Sequence, residues 1–155
     1  MHHAGMKMLR ILLPLALTAL VGLCLGGCST TYQQAGIAVT LTDVAVREDN
    51  TAVLRLHLRN ENIVPVAVTA TELKAFFNGT GYGKATGEKP FALKEYGETD
   101  HEAILRLGDV AAAERLKSAL AAGGLDYRLE CRLICEVGEE TLILTTTAAG
   151  RVERH

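Results

Sequence analysis

Aromatic residues are scarce in this chain of 155 residues. It contains no tryptophan, three phenylalanines and four tyrosines. A hydrophobic core must therefore be built mainly from aliphatic side chains, and it needs most of the seven aromatic rings as well. Phe76, Phe77, Tyr82 and Phe91 either fill that core or, in part, line an exposed binding surface.

Cysteine occurs four times, but not as a disulfide framework. Cys24 and Cys28 lie near the N-terminus, whereas Cys131 and Cys135 lie four residues apart in a run of alternating apolar residues. In a regular strand their Cα atoms would be ~13 Å apart, and a disulfide needs less than ~7 Å. We predict two buried thiols that act as small hydrophobic groups, with a metal or redox pair as the alternative.

The chain also lacks an excess of positive charge. Without residues 1–27 it has 128 residues, 18 acidic and 14 basic, and a net charge of about −4 with neutral histidines. That size suits one domain. Nucleic-acid binding needs a basic face, so nucleic acid is not an expected partner.

No apolar run is long enough for a membrane span. Residues 11–25 are almost wholly apolar, but a span needs ~20 residues. Lys7 and Arg10 precede the run and Leu25-Gly26-Gly27-Cys28 ends it, as in a secretory signal. The cysteine makes this segment resemble the lipobox of bacterial lipoproteins. Met1, Met6 and Met8 all remain possible starts of the natural chain.

The lipobox resemblance implies cleavage between Gly27 and Cys28. Cys28 would then carry a diacylglyceryl group on sulfur and a fatty acid such as palmitate on nitrogen, and several acyl chains anchor a protein stably. The predicted organisation is a signal peptide (1–27), a lipidated polar tether (28–36) and one folded domain (37–152). Ser29 follows the cysteine, which by the family's sorting rule favours the outer membrane, facing the periplasm.

The sequence of the mature chain predicts a series of short strands. Alternating apolar residues and turn signals predict strands at 35–46, 51–59, 64–68, 71–77, 80–86, near 90–97, and at 99–107, 125–137 and 141–152. A bulge is expected near Asp43, and another beside Gly81 and Gly83. Asn78-Gly79 predicts a tight hairpin turn, because both residues tolerate positive φ.

One segment, residues 109–122, predicts a helix. Asp109 can cap its N-terminus, the apolar residues Val110, Ala113, Leu116 and Leu120 share a face, and Gly123-Gly124 can end it. Short strands without repeating helices predict an all-β antiparallel sandwich.

The order of these features resembles the type-2 late embryogenesis abundant family, also called the water stress and hypersensitive response (WHy) domain. The shared pattern includes the Asn60-x-Asn62 turn, the Asn78-Gly79 turn, Pro90 and the strand beginning at Tyr127. Glu61 stands where the family usually has proline, which removes a rigid φ and leaves Asn60 and Asn62 to cap the turn. The resemblance implies an immunoglobulin/fibronectin III-like sandwich of about seven strands with one helix, a link to desiccation or other stress, and no catalytic residues.

The residues themselves contain no recognisable catalytic set. Ser29 and Ser118 are the only serines after Cys28, and neither has a histidine nearby in sequence. His57 lies on the polar face of its strand, and His101 lies between Asp100 and Glu102, whose side chains point to the opposite face. We therefore predict no enzyme activity, no cofactor and no metal.

Two kinds of function remain. The first is a membrane-anchored, non-enzymatic binding or protective module, which takes a protein client on an edge strand or a hydrophobic ligand in a cleft beside the helix. The second is a structural or assembly subunit of a cell-envelope complex.

Overall fold

The computed structural model describes residues 31–34, 36–137 and 139–153. The predicted cleavage and lipidation site, Gly27 and Cys28, lies outside these ranges. The described elements, in chain order, are β1 (Thr31–Gln34), β2 (Ile37–Val46), β3 (Thr51–Asn60), β4 (Val66–Val68), β5 (Ala70–Phe77), β6 (Thr80–Gly87), β7 (Phe91–Leu93), β8 (Glu98–Arg106), α1 (Val110–Ala121), β9 (Leu125–Val137) and β10 (Glu140–Val152).

Eight strands form one sheet in the order β1-β10-β9-β5-β6-β8-β3-β2, and β4 pairs with β7 in a separate ribbon. The pairings are antiparallel except that β1 runs parallel to β10. The two ends of this order, β1 and β2, lie near each other. β1 is paired with β10 and leads directly into β2, which brings β2 next to β10. Thr146 Oγ1 donates to the carbonyl of Ile37 over 3.0 Å, and the amide of Leu41 donates to the Tyr127 hydroxyl over 3.2 Å. The sheet is therefore a nearly closed barrel.

The antiparallel all-β class is confirmed, but the two-layer immunoglobulin/fibronectin III-like sandwich of about seven strands is not. Strands that a sandwich would divide between two layers stay hydrogen-bonded in one sheet. The predicted bulges are present: β2 shifts register between Leu41 and Asp43, and β6 shifts between Gly81 and Gly83. Val64 is 59% exposed and precedes β4 instead of belonging to it.

The barrel has two distinct ends. The tether end carries the start of β2, the 61–65 loop between β3 and β4, the 94–97 loop before β8, and the turn between β9 and β10. The helix end carries the β2–β3 and β5–β6 turns and the start of α1. Loops at the same end lie close together and can form one surface.

Strand alternation fills the barrel with aliphatic side chains, as the shortage of aromatic residues predicts. Leu54, Leu56 and Leu58 of β3 are at most 1% exposed, and Leu105 and Leu129 are fully buried. Each such leucine contributes about 1.5–3 kcal/mol through burial. Among the four central aromatics, Phe77 is buried at 1% exposure, while Phe76, Tyr82 and Phe91 are half-buried.

The helix confirms the prediction for residues 109–122. The Asp109 side chain accepts a hydrogen bond from the amide of Ala112 over 2.6 Å, and Gly123 follows the helix with φ +115°. Ala112, Ala113 and Leu116 are buried. The helical pattern places Val110 on the same face, but its side chain is 62% exposed, because it is the first residue of the helix.

Within the described ranges, no helix combines the length and the apolar character needed to cross a membrane.

Candidate binding groove between β6 and β8

An open groove lies where β6 and β8 separate. The two strands pair only at Ala85–Leu105 and Thr86–Ile104, whereas β3 pairs with β8 from Glu98 to Arg106. Among the described strands, none pairs with the β6-facing edge of β8 over residues 98–101, and at residue 102 the carbonyl lies against Gly87. We call the adjoining space, of about 1080 Å³, the β8 groove; its lining is Thr42, Arg55, Thr86, Gly87, Glu88, Lys89, Pro90, Phe91, Thr99, Asp100, His101, Glu102, Ile104 and Arg106.

The groove opens because β6 cannot continue alongside β8. Gly87 is the last residue of β6, and the ideal position of a Cβ there lies 2.6 Å from Thr71 Oγ1 and 2.9 Å from the carbonyl of Glu102. Pro90, three residues later, has no amide hydrogen to donate to a strand ladder. The chain turns away into β7, which pairs with β4.

His101 forms the floor of the groove. Its side chain is buried, its Nε2 is 3.1 Å from Thr71 Oγ1, and its ring packs 4.6 Å from the ring of Phe91. Burial lowers the pKa of His101, with a smaller lowering by Lys89 and an opposing effect of Glu102. Since the unperturbed value is ~6.5, the ring is neutral at pH 7 and acts as a hydrogen-bonding group in the floor of the groove.

The acidic neighbours of His101 lie on the opposite face, as predicted. Asp100 and Glu102 are exposed on the outside of β8, where they pair with β3 residues. The three side chains do not converge, and the described residues contain no group of three that could hold a metal ion.

A charged ladder covers the outer face of β3 and β8. Arg55 lies 3.2 Å from both Asp43 and Glu102, and His57 Nδ1 lies 2.8 Å from Asp100. The hydrogen bond to Asp100 raises the pKa of His57, opposed by slight desolvation and supported by Glu98. Exposed pairs of this kind each contribute at most ~1 kcal/mol, so the ladder marks a solvated surface.

The two thiols are buried inside the barrel, as predicted. Cys131 and Cys135 are 2% and 3% exposed and unbonded. Burial raises the pKa of Cys131 to about 12 and also raises that of Cys135. A nucleophilic cysteine needs a lowered pKa, and His57 lies on the outer face of the sheet, so no thiol–histidine pair forms between them.

The predicted turn residues hold the loops of the tether end together. Asn60 is 1% exposed, and its Nδ2 donates to the carbonyls of Val64 and Lys94, each over 2.9 Å. Asn62 Nδ2 donates to Asn60 Oδ1 over 2.8 Å and to the carbonyl of Gly36 over 3.1 Å. Asn60 Oδ1 also accepts a hydrogen bond from the amide of Asn62 over 3.0 Å, so the two asparagines cap the turn through their side chains.

The Asn78-Gly79 hairpin is also confirmed. Asn78 and Gly79 have φ of +48° and +78°, as a two-residue turn of this type requires. Asn78 Oδ1 accepts a hydrogen bond from the amide of Asp126 over 3.0 Å, which ties the turn to the start of β9.

Two smaller depressions lie elsewhere on the barrel. The first, of about 370 Å³, lies over β5, β9 and β10, where Glu72 pairs with Arg132 and Lys74 with Glu130. The second, of about 670 Å³, lies between β2, α1 and the end of β10, and we call it the helix groove. It is lined by Thr42, Asp43, Val44, Val46, Arg55, Lys117, Leu120, Ala121, Val152 and Glu153.

Sequence reasoning did not find the β8 groove. The sequence predicts an edge strand, but the position of the free edge depends on where β6 leaves β8. The Lys89-Pro90 pair after a glycine-containing strand was the available signal, because proline cannot continue a ladder.

No family model matches the chain, and no curated protein sequence matches it. Solved structures similar to it include a candidate late embryogenesis abundant (LEA) protein, with a TM-score of 0.49 and 13% identity over 99% of this chain and 94% of that chain. A protein from Arabidopsis thaliana has a TM-score of 0.48 and 15% identity over 84% and 89%. One from Archaeoglobus fulgidus has 0.47 and 13% over 77% and 95%. Likenesses at this level decide neither fold nor function.

Proposed function

We propose that this chain is a membrane-anchored, non-enzymatic binding module of the bacterial cell envelope. Attachment to the membrane is through acylated Cys28, and the outer membrane, facing the periplasm, is the expected location. The support is the basic flank at Lys7 and Arg10, the apolar run and the Leu25-Gly26-Gly27-Cys28 sequence.

The observation that carries a binding role is the free edge of β8. A peptide segment of about four residues can pair with residues 98–101 by main-chain hydrogen bonds, as in other strand-addition complexes. The half-buried Phe91 and Ile104 offer apolar contacts for its side chains, and the groove lining also carries both signs of charge, with Lys89 and Arg106 as well as Asp100 and Glu102. An extended segment of a client protein therefore fits the groove best.

A hydrophobic ligand is the second candidate, and the helix groove favours it. Val44, Val46, Leu120 and Val152 give that groove an apolar wall, and Lys117 places a cation at its rim. An acyl chain would match this apolar wall. A role as an assembly subunit of an envelope complex is compatible with either groove.

The sequence resemblance adds a link to desiccation or other stress. A folded β-barrel is not the hydrophilic, disordered chain that protects by solvating its surroundings. Protection would therefore act through contact between a groove and a client protein or membrane.

The anchor is tested by expressing the chain in a bacterium beside a Cys28→Ala variant. The intact mass of the wild type should show the loss of residues 1–27 and the addition of lipid, with recovery in outer-membrane fractions. The variant should lose the lipid and the outer-membrane recovery together, because both depend on the Cys28 sulfur. An unmodified wild-type chain would contradict the anchor and the periplasmic location.

The groove is tested in cells by photo-crosslinking from three positions. A photoreactive residue at Lys89 reports on the β8 groove, one at Lys117 on the helix groove, and one at the exposed Val110 serves as control. We expect a discrete protein adduct from position 89 only. A lipid adduct from position 117 would favour the second candidate, and equal labelling at all three positions would contradict a groove-specific role.

A further inference from the structure

The tether end of the barrel exposes three large apolar side chains. Ile63, Val64 and Tyr96 are 69%, 59% and 65% exposed. Ile63 and Val64 come from the 61–65 loop, and Tyr96 comes from the 94–97 loop. We call these three residues the apolar tip. Clustered apolar exposure of this kind marks a contact surface.

The tip is held in one arrangement by the buried Asn60. Its Nδ2 bonds the carbonyls of Val64 and Lys94, which joins the two loops, and its backbone amide donates to Gly97 over 2.9 Å. The amide of Tyr96 also donates to the carbonyl of Asn62 over 3.2 Å. Because these bonds already fix both loops, little further ordering of the loops is needed when the apolar side chains meet a partner surface.

The backbone of Tyr96 supports a contact role. Its φ is +51°, in the left-handed region that an aromatic residue rarely occupies. Such conformations persist only where the surrounding structure enforces them, and they cluster at functional sites. Here the result is a tyrosine ring that faces solvent instead of the core.

The tip lies at the end where the predicted anchor leaves the domain. The carbonyl of Gly36 accepts hydrogen bonds from the amide of Glu61 over 2.8 Å and from Asn62 Nδ2. Thr31 pairs with Leu142 near the start of β10, at the same end. Only Ser29 and Thr30 separate Cys28 from Thr31, and the three residue steps reach at most ~11 Å, so a lipid on Cys28 keeps this end close to the bilayer.

We infer that Ile63, Val64 and Tyr96 insert into the interfacial layer of the membrane that holds Cys28, as a second point of attachment. This inference rests on the proposed anchor. Aliphatic side chains beside a tyrosine suit the boundary between headgroups and acyl chains. Among the described residues, the same end carries Glu61, Glu95, Glu139 and Glu140 against two cations, Lys94 and Arg59, the latter paired with Glu61. Because negative charge is in excess, zwitterionic lipid is the expected surface and anionic lipid weakens the contact.

The test uses the absence of tryptophan from the chain. The full chain carrying Tyr96→Trp has a single indole, and Val64→Trp provides a second reporter in case the first disturbs the loop. Val110→Trp is the matched control, because Val110 is 62% exposed at the helix end. Each protein is reconstituted into phosphatidylcholine vesicles that contain brominated acyl chains, with and without phosphatidylglycerol.

The indoles at positions 96 and 64 should shift their emission to the blue and be quenched several-fold more than the indole at position 110. Their quenching should be weaker when phosphatidylglycerol is present. Acylated protein in which neither tip indole is quenched would overturn the tip contact and leave the anchor intact. Unmodified protein with a quenched indole at position 96 would retain the tip and overturn the anchor. A blue shift only in native envelope membranes, without quenching in vesicles, would assign the tip to a protein partner and overturn the lipid contact.

Discussion

Replacing Gly87 with alanine should lower the free energy of unfolding by about 3 kcal/mol, at the upper end of the usual cost of overpacking. The added methyl group meets Thr71 Oγ1 and the ring of buried His101, and it lies 2.9 Å from the carbonyl of Glu102. The carbonyl belongs to β8, which β3 holds in place over nine residues. Neither side can move without breaking the Thr71–His101 hydrogen bond or the last pairs between β6 and β8.

Thermal unfolding followed by circular dichroism measures this effect, and Gly108→Ala is its control. Gly108 has no atom within 4 Å of its ideal Cβ position, and alanine there should leave the midpoint within about 2 °C of wild type. We expect the Gly87 variant to melt about 10 °C lower. Equal midpoints for the two variants would mean that β6 does not approach His101 as closely as the structure shows.

Much of the fold follows from local sequence patterns. The alternation of Leu54, Leu56 and Leu58 defines a strand with one buried face, and the structure buries all three. Asn78-Gly79 fixes a hairpin through its φ preferences, and Asp109 fixes the start of the helix through its side chain. Each of these signals depends on neighbours within a few residues, which is why sequence reasoning finds it.

The closure of the sheet could not be predicted in the same way. Alternation shows which face of a strand is buried but not which strands are neighbours, so a sandwich and a barrel give the same pattern. Here the outcome depends on Thr31–Gln34 pairing in parallel with residues 142–145, more than one hundred positions away. The resemblance to a sandwich family therefore favoured a two-layer arrangement that the structure does not confirm.

The candidate sites show the same difference between local sequence signals and contacts between distant segments. The buried thiols and the outward-facing Asp100 and Glu102 follow from strand periodicity, and the structure confirms both. The β8 groove and the apolar tip arise where distant segments meet, at Gly87 against His101 and at Asn60 between two loops. Exposure of Ile63 and Tyr96 has no local signal, because neither residue type prefers the surface.

Asn60→Asp should be the most informative change at the tether end. The Asn60 amide donates to two carbonyl oxygens from buried surroundings, and a carboxylate would place negative charge against both. An uncompensated buried charge costs about 3–5 kcal/mol. The amide and Nδ2 of Asn62 still donate to the retained Oδ1 and compensate part of the charge, so we expect a loss at the lower end of that range at pH 7. Burial and the facing carbonyls raise the pKa of the new carboxyl above its unfolded value of ~3.9.

The sign of the pH dependence follows from that raised pKa. Between the unfolded and folded values the native state binds more protons, so the stability of the variant relative to wild type falls as the pH rises through this window. Below about pH 4 the protonated acid can donate to one carbonyl, and the deficit should shrink to about 1–3 kcal/mol. Urea unfolding of both proteins between about pH 3.5 and 8 spans this window and measures the difference.

Asn78→Asp is the control for this change, because its Oδ1 only accepts a bond from the amide of Asp126 and aspartate tolerates positive φ. The control should therefore lose little stability at any pH in the series. A deficit at position 60 that does not change with pH would show that the Asn60 amide does not face these carbonyls. The rigid support assigned to the apolar tip would be lost with it, since the same amide joins the two loops that carry Val64 and Tyr96.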